Sequence, residues 1–195
     1  LVRFEGVAGE FSQHDFGQVD VRYRGGGEER IHFFASRLKY SRWIDVRLVE
    51  DERIESLVRS LLAGFAGFGG IPLVAVFDNP KTVTLGREGG RILWNDTFGQ
   101  VALDYGFGVE LCTPARAQEK GSVENLVGFA KGSFFKVRRF HDHADLVSQL
   151  AEWHIEVNEV RPCRATGVTP AARIAAERER LRPLAIAPED YALRF

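Results

Sequence analysis

The amino-acid sequence predicts an α/β fold in which helices flank a mixed five-stranded sheet and a C-terminal extension follows. Strand-like segments come first, helical and strand-like segments then alternate, and helical segments close the chain. The chain has 195 residues, of which 45% are hydrophobic, and this is enough to bury one substantial core. We therefore expect one domain over residues 1–160 and a C-terminal arm over residues 161–195, which begins a further region.

Three antiparallel strands are predicted to open the fold. Residues 11–23 alternate in part between apolar and polar side chains, and the glycine-rich segment 24–28 is typical of a turn. Segments 31–37 and 43–49 have the composition of two further strands. Consecutive strands joined by short turns predict an antiparallel meander.

A helix and a buried strand are predicted next. From Ile54 to Phe65, apolar residues recur at the three- and four-residue spacing of an amphipathic helix. Three glycines within residues 67–70 end this helix. The nearly all-apolar run 71–77 is typical of a strand covered on both faces, and Asp78 follows it directly.

The remaining segments complete the order of elements. A weaker helix over 95–105 precedes a strand near 109–112, and longer helices are predicted from about residue 119 and over 142–158. The C-terminal arm is rich in proline and arginine, and Thr169-Pro170 opens a short helix there. The resulting order is three strands, helix, strand, helix, strand and then helices. It matches the ribonuclease-H-like architecture.

Composition argues against several classes of protein. No run approaches the roughly 18 apolar residues of a membrane helix, so we expect a soluble, intracellular chain without a membrane partner. Cys112 and Cys163 lack zinc-like spacing and are expected to be reduced structural residues. The net charge of −1 argues against DNA binding by bulk electrostatics alone, although basic residues outnumber acidic ones within 113–143 and 161–195. Because the chain starts at Leu1 and contains no Met, we expect a piece of a longer polypeptide.

Three carboxylates stand where the predicted elements would otherwise carry apolar residues. Asp15 shares the strand parity of apolar residues, Asp78 closes a buried strand, and Glu124 lies off the apolar stripe in the first turns of a helix. Such a carboxylate is unfavourable unless something positive meets it. Three carboxylates from separate elements can clamp two Mg²⁺ ions about 4 Å apart, which stabilises the attacking and leaving oxygens in phosphodiester cleavage. The pattern predicts a metal-dependent phosphoryl-transfer site.

Other polar residues compete with this interpretation, because most of the 27 acidic residues must be solvated surface groups or caps. The alternative acids are Asp20, Asp45, Asp96 and Asp104. Asp20 falls on the opposite parity of the first strand and is expected to face solvent, while Asp96 is typical of a helix start. His14, beside Asp15, is interpreted as a satisfied structural histidine. The cluster His141-Asp142-His143 is interpreted as a helix start, because it has no third partner at a metal-binding spacing.

Five segments, in order, carry a resemblance to a known family. They are Gln13-His14-Asp15-Phe16-Gly17, Phe77-Asp78-Asn79, Lys120-Gly121-Ser122-Val123-Glu124-Asn125, residues 158–162 and residues 166–173. Together they resemble the integrase-type catalytic core of an IstA-type bacterial insertion-sequence transposase, over nearly the entire chain. The resemblance implies a retroviral-integrase-like fold and hydrolysis at transposon ends with two Mg²⁺ or Mn²⁺ ions per site. The freed 3′-hydroxyl would then attack target DNA, and residues 1–160 would be the catalytic core.

The resemblance also implies roles for individual residues. Asp15, Asp78 and Glu124 match the family's metal-binding catalytic acids. Lys120 and Lys131 are expected to contact phosphates near these acids, because a flexible ammonium acts as a point charge for the backbone. Four arginines are expected to contact DNA further out. They are Arg138, Arg139, Arg161 and Arg164.

Partners follow from the same resemblance. Family members act as multimers on paired DNA ends, carry an N-terminal helix-turn-helix region and work with a separate AAA+ ATPase that selects the target. We therefore expect self-association on DNA, a helper ATPase and a location in the bacterial cytoplasm, at the nucleoid.

Two other functions stay open. A ribonuclease-H-like nuclease or junction resolvase would cut DNA without joining it, although the transposase-like segment around Thr169-Pro170 argues against this. A degenerate core could instead be a catalytically silent DNA-binding or assembly domain, which would suit the near-neutral charge. The presence of all three acids argues against that function.

Overall fold

The central sheet is mixed and has the five strands that the sequence predicts. The computed structural model describes residues 6–78, 81–112 and 125–193. Its strands are β1 (Phe11–Arg22), β2 (Glu28–Leu38), β3 (Ile44–Val49), β4 (Val74–Phe77), β5 (Thr84–Glu88), β6 (Arg91–Trp94) and β7 (Gly108–Leu111). The main sheet has the order β3-β2-β1-β4-β7, and β5 and β6 form a separate two-stranded sheet.

Helices alternate with the later strands and then follow them. They are α1 (Ile54–Phe68), α2 (Asp96–Tyr105), α3 (Leu126–Ala130), α4 (His143–Ile155) and α5 (Ala171–Arg178). A π-helical turn over Lys131–Phe135 continues α3, and another over Glu156–Val160 continues α4. A 3₁₀ turn over Pro188–Asp190 lies near the end of the described chain. This order of elements confirms the predicted α/β class.

β1 organises the sheet because it pairs with two strands of opposite direction. It runs antiparallel to β2, with Asp15 opposite Ala35, and parallel to β4, with His14 in register with Phe77. β2 also pairs antiparallel with β3, and β4 pairs parallel with β7. The predicted meander of β1, β2 and β3 is therefore confirmed.

Each face of the main sheet carries its own core. On one face, which we call the α1 face, α1, α2 and α5 pack with Phe34 and Phe65. On the other, the α4 face, α3 and α4 pack with Phe33 and Trp153. These four side chains are at most 1% exposed. Because side chains alternate along a strand, neighbouring residues of β1 point into different cores.

The helix ends agree with the local sequence signals. Gly69, with φ of 93°, ends α1 in the left-handed conformation that favours glycine. The Asp142 carboxylate caps α4 by accepting a hydrogen bond from the Asp145 N–H at 2.8 Å, which confirms that the His141-Asp142-His143 cluster is a helix start. The predicted helix start near residue 119 lies outside the described residues, and the described part of α3 begins at Leu126.

The β5–β6 hairpin has no counterpart among the predicted elements. It lies between β4 and α2, and its strands are only five and four residues long. Gly86, Gly89 and Gly90 all have positive φ angles there. A short, glycine-rich hairpin shows too little alternation of apolar and polar residues to be recognised from its sequence.

The C-terminal arm packs on the α1 face. The carboxylate of Glu177 in α5 is fully buried and accepts hydrogen bonds from the backbone N–H groups of Gly9 (3.2 Å) and Ser41 (2.8 Å). Backbone groups of Ile71 and Arg182 exchange two hydrogen bonds of 2.7 and 3.0 Å. α5 is the short helix that was predicted after Thr169-Pro170. The arm thus shares a core with α1, while a domain boundary at residue 160 stays a prediction.

Two further observations bear on the composition. Cys112 and Cys163 are both half-buried thiols, in the reduced form that their spacing predicts. Within the described ranges, the helices are all too short or too polar to cross a membrane.

Candidate active site

One predicted acid, Asp15, lies in β1, and a second, Asp78, directly follows the neighbouring strand β4 at the same level of the sheet. His14 of β1 is in parallel register with Phe77 of β4. Asp15 and Asp78 are therefore the next residues along these two adjacent segments of the chain. Adjacent strands lie about 4.8 Å apart. Asp15 is half-buried and Asp78 is exposed where β4 ends. The fold therefore brings together two carboxylates that are 63 positions apart in the sequence (78 minus 15).

The environment of Asp15 opposes its negative charge. Burial and the nearby charge of Asp78 raise the pKa of the Asp15 carboxyl to about 7, and the more distant Glu52 acts in the same direction. A hydrogen bond from the Phe16 backbone N–H and the positive charge of Lys131 lower the pKa of Asp15, but they do not offset the first two effects. The site thus has an excess of negative charge that a cation would relieve.

Residue parity along β1 places Asp15 on the α4 face, as the sequence predicts. Val21 is buried in the α4-face core, and Val19 and Tyr23 pack against it. These residues share the odd-numbered positions of the strand with Asp15, so the carboxylate lies on the side of the sheet that α3 and α4 cover.

His14 has the structural role that was predicted for it. Its ring is fully buried on the α1 face, where Nε2 lies 2.6 Å from the Ser12 hydroxyl and Nδ1 lies 2.7 Å from the Ser36 hydroxyl. The rings of Phe34 and Phe77 stack on it. Burial lowers the pKa of His14 to about 3, so the ring is neutral and does not join the acids.

The third acid and one of the two lysines lie outside the described residues. These are Glu124 and Lys120, and their assignment stays a prediction. The first described residue after them, Asn125, caps α3 by accepting a hydrogen bond from the Gly128 N–H at 2.8 Å. The part of the chain that the structure describes contains no group of three metal-binding side chains of the His, Cys, Asp or Glu type.

Lys131 lies close enough to the acids for its charge to act on Asp15. It is half-buried in the π-helical turn that continues α3 over the α4 face. A lysine next to carboxylates that are expected to hold metal is placed to meet a phosphate group of DNA. This contact stays a prediction.

The outer arginines fall into two groups. Arg138 and Arg161 both pair with Glu156, at 2.8 and 2.9 Å, so a single carboxylate holds the two guanidinium groups together. Arg139 and Arg164 are exposed. The structure leaves all four as predicted DNA contacts.

Sequence analysis missed one acid near the site. Glu52 precedes α1, where acidic residues commonly favour a helix N-terminus, and its charge contributes to raising the pKa of Asp15. Its Oε1 lies 3.7 Å from Nδ1 of His32 in β2. Only the tertiary structure relates Glu52 to Asp15, because nothing in their spacing or motifs connects them.

The alternative acids lie in structural contacts. Asp20 faces solvent as expected and pairs with Arg30 at 2.8 Å, although its exposure comes from its place near the end of β1 and not from parity, since both faces of the sheet carry a core. Asp45 accepts a hydrogen bond from a neighbouring arginine, and Asp104 accepts one from a tyrosine hydroxyl. Asp96 opens α2, which confirms its interpretation as a helix-start residue. Each of these carboxylates has a local explanation that does not involve catalysis.

Comparison with known protein sequences finds transposases of bacterial insertion sequences. No family model matches the chain. It is 35% identical over 190 residues to the putative transposase for insertion sequence element IS5376 of Geobacillus stearothermophilus, covering 97% of this chain and 46% of that protein. It is 34% identical over 184 residues to the transposase for insertion sequence element IS21 of Pseudomonas aeruginosa, covering 94% and 47%. The chain spans about half the length of the curated relatives it matches.

Solved structures with a similar fold are retroviral integrases. The catalytic core domain of BIV integrase superposes with a TM-score of 0.57 at 13% identity, covering 88% of this chain and 97% of that one. A simian T-cell lymphotropic virus intasome in complex with PP2A regulatory subunit B56 gamma gives 0.62 at 18% identity, covering 94% and 60%. The HTLV-2 integrase catalytic core domain in complex with magnesium gives 0.53 at 12% identity, covering 86% and 97%. This likeness confirms the ribonuclease-H-like fold.

Proposed function

We propose that this chain, which is related to IS21-type insertion-sequence transposases over nearly its whole length, is the catalytic core of a DNA transposase. Its reaction would be metal-dependent hydrolysis of phosphodiester bonds at transposon ends, followed by strand transfer of the 3′-hydroxyl into target DNA. This is a polynucleotidyl transferase activity. The observation that carries the proposal is the adjacency of Asp15 in β1 and Asp78 directly after β4, the strand that runs parallel to it.

The donor set fits a hard divalent cation. Carboxylate oxygens are the ligands that Mg²⁺ and Mn²⁺ prefer, and the pKa of Asp15 is raised first by burial and then by the charge of Asp78, both of which a bound cation would counteract. We assign Asp15, Asp78 and the predicted third acid, Glu124, as the residues that would hold two ions. When bound, such ions polarise the phosphodiester and lower the pKa of the attacking oxygen. An integrase of the same fold has been solved with magnesium, which supports this assignment.

The chain's own residues contribute binding and position. Asp15 and Asp78 are fixed by strands that form part of the central sheet, which limits their movement. Lys131 offers an ammonium group beside them, and Lys120 is proposed to do the same for a neighbouring phosphate. The four predicted arginines would bind the DNA backbone further out and thereby set the register of the strand.

The proposed partners follow from the resemblance of the sequence to insertion-sequence transposases. We propose that the chain binds transposon ends and target DNA, self-associates on DNA and acts with a separate AAA+ ATPase in the bacterial cytoplasm. A solved intasome and integrase cores described as dimeric and trimeric forms support self-association of this fold. Residues 1–160 would be the catalytic core, and the arm would lead into a further region.

A strand-transfer assay tests the proposal directly. The protein is incubated with pre-cut transposon-end DNA, a target duplex and Mn²⁺, and the products are separated by size. We expect joined products from the wild type and none from Asp78→Asn, which removes a charged ligand with little change in volume. Asp20→Asn, at an exposed carboxylate near the end of β1, is the matched control. Joined products from Asp78→Asn at the wild-type rate would refute the assignment.

The same assay separates the alternatives. Cleavage without joining would indicate a nuclease or resolvase, and DNA binding without chemistry would indicate a silent assembly domain. The transposase relatives favour joining over both of these outcomes.

A further inference from the structure

The β5–β6 hairpin carries large apolar side chains on its surface. Leu85 is 68% exposed, Leu93 is 40% exposed and Trp94 is 36% exposed. Exposed apolar residues that are scattered singly are common on protein surfaces, whereas a group of them on one short element marks an interaction surface. The hairpin therefore has the composition of an element that contacts another molecule.

The base of the hairpin is fixed to the core, while its tip is open to solvent. Val83 is fully buried in the core of the α1 face, and its carbonyl accepts a hydrogen bond from the Asn95 N–H at 2.9 Å. Nearer the tip, a side chain added at Gly86, Gly89 or Gly90 would meet no other atom within 4 Å. The exposed side chains are thus presented by a hairpin that is anchored at one end.

The hairpin and its base also carry positive charge. Lys81, Arg87 and Arg91 are exposed, and Glu88 is the one acidic residue among positions 81–94. Glu88 lies opposite Arg91 in the strand register and offsets part of this charge. Within the described part of the chain, no acidic residue forms an ion pair with any of the three basic side chains. Positive charge without acidic partners favours a polyanion as the ligand.

The strand register gives the hairpin a face that is both aromatic and basic. Trp94 lies opposite Thr84, and Ile92 lies opposite Arg87. Because side chains alternate along a strand and opposed residues share a face, Ile92, Trp94 and Arg87 lie on the same side of the hairpin. Aromatic rings beside basic side chains are typical of surfaces that bind single-stranded DNA, where the ring stacks on a base and the cation meets a phosphate. In an intact duplex the base faces are stacked on each other, so this face suits unpaired nucleotides.

The hairpin begins beside the proposed reaction site. Lys81 follows Asp78 by three residues, and three residues span at most about 11 Å. The Thr82 hydroxyl donates a hydrogen bond to the Glu52 carbonyl at 3.4 Å, and the charge of Glu52 acts on Asp15. A DNA strand bound at Asp15 and Asp78 would therefore lie within reach of the hairpin.

We propose that the β5–β6 hairpin binds unpaired nucleotides of the DNA strand beside the phosphodiester that reacts. The Trp94 ring stacks on a base, and the Arg87 guanidinium group contacts a phosphate. The proposal rests on the proposed transposase function and deepens it, because it assigns a substrate contact to an element that has no acid of the metal site.

The first test measures binding of single-stranded DNA in EDTA, so it does not depend on chemistry. The Kd for a labelled oligothymidylate is determined by fluorescence anisotropy for the wild type and for Trp94→Ala. Trp94→Ala should bind about tenfold more weakly, the range expected for one lost stacking contact. The matched control, Leu103→Ala, removes a side chain of α2 that is 77% exposed and should keep the wild-type Kd. No binding by the wild type, an unchanged Kd for Trp94→Ala or an equal loss in the control would overturn the proposal.

The salt dependence of the same binding tests the phosphate contact. For Arg87→Gln, the slope of log Kobs against log[salt] should fall in magnitude by about 0.7, the value for one lost contact to single-stranded DNA. The matched control is Arg30→Gln, which removes the same charge from an exposed arginine that is already paired with a carboxylate at 2.8 Å. Arg87 is itself exposed, so this variant decides the matter if Trp94→Ala unfolds the chain. The same slope in Arg87→Gln as in the wild type would count against the proposal.

Other occupants of the hairpin give different results. If Trp94→Ala abolishes self-association in analytical ultracentrifugation while the Kd is unchanged, the hairpin binds a second copy of the chain and the DNA assignment is wrong. If Trp94→Ala weakens binding of a blunt duplex as much as binding of the single strand, the ring does not stack on an unpaired base, and the proposal again fails. Joined products from Asp78→Asn at the wild-type rate would instead refute the proposed function, and they would leave the Kd for single-stranded DNA unaffected.

Discussion

His14 and Asp15 are consecutive residues of one strand, yet β1 directs them into opposite environments. His14 lies on the α1 face, where two serine hydroxyls meet both ring nitrogens and phenylalanine rings enclose it. Asp15 lies on the α4 face, where burial and the charge of Asp78 both oppose its ionisation. The pKa of each side chain is shifted towards the neutral form, downwards for His14 and upwards for Asp15.

The difference separates two uses of a buried polar group. A neutral ring with its hydrogen bonds made contributes to the stability of the fold. A partly buried carboxylate beside a second carboxylate lowers the stability of the fold. Such a group is typical of a position where a ligand or a reaction requires it. The first residue therefore belongs to the scaffold, and the second is proposed to belong to the site.

The largest effect expected from this comparison is on chemistry. Asp15→Asn should reduce strand transfer by about 10³-fold or more, because it removes a charged group that we propose as a metal ligand. The measurement is the single-turnover rate with Mn²⁺ and pre-cut ends. Asp20→Asn makes the same change at an exposed position near the end of the same strand and should keep the wild-type rate. Equal rates for the two variants would remove Asp15 from the site.

The next largest effect is on folding. His14→Ala should lower the free energy of unfolding by about 3 kcal/mol, because it opens a cavity between aromatic rings and leaves the hydroxyls of Ser12 and Ser36 without their partner. Denaturant unfolding measures this change. His143→Ala, at a side chain that is 53% exposed, should change the same quantity by less than about 0.5 kcal/mol. A loss below about 1 kcal/mol for His14→Ala would show that the ring is not a structural element.

The parts of the fold that the sequence predicts are those with local signals. The strand parity that separates Asp15 from Asp20, the glycine that ends α1 and the cap at Asp142 all depend on residues close in sequence. The sequence marks Asp78 because an acid directly after an apolar strand is a local anomaly. The motif resemblance then predicts that Asp78 lies near Asp15, and the strand register agrees with this.

The unpredicted parts depend on contacts between distant residues. Glu177 stands among alanine, arginine and glutamate residues and has the sequence of an exposed helix, yet it is fully buried because it receives two backbone hydrogen bonds from the start of the chain and the β2–β3 connection. A cavity of about 300 Å³ is lined by residues from positions 37 to 170, four of them arginines, so no segment of the sequence contains its pattern. Glu52 acquires its effect on Asp15 only through the tertiary fold.

A metal titration sharpens the contrast between the two faces. Mg²⁺ or Mn²⁺ at about ten times its Kd should stabilise the wild type by about 1.4 kcal/mol, because ions bind the folded site and not the unfolded chain. For a chain of this size, that corresponds to a rise in melting temperature of roughly 3–6 °C. Asp15→Asn should lose most of the rise, while His14→Gln should keep it. Equal shifts in wild type and Asp15→Asn would place the ions elsewhere.

The smallest effect is a pair of opposed pH dependences. The pKa of Asp15 is raised from 3.8 to about 7, so the metal-free folded chain holds a proton that the unfolded chain has lost, and stability falls as pH rises through this window. The pKa of His14 is lowered from 6.5 to about 3, so the unfolded chain holds the extra proton and stability rises with pH between about 3 and 6.5. Between about pH 4 and 6.5 the two slopes have opposite signs and offset each other.

Removing Asp15 should therefore expose the slope of His14. In EDTA, the free energy of unfolding of Asp15→Asn should rise more steeply with pH than that of the wild type between pH 4 and 7. The difference in free energy of unfolding between Asp15→Asn and the wild type should change by on the order of 1 kcal/mol between pH 4 and pH 8. This value is reduced from the full linkage because the Asp15 carboxylate is partly solvated. Denaturant unfolding at several pH values measures it, with Asp20→Asn as the control. A constant difference between Asp15→Asn and wild type across this range would mean that Asp15 ionises as freely as a surface carboxylate, and the two faces of β1 would then differ in packing but not in charge.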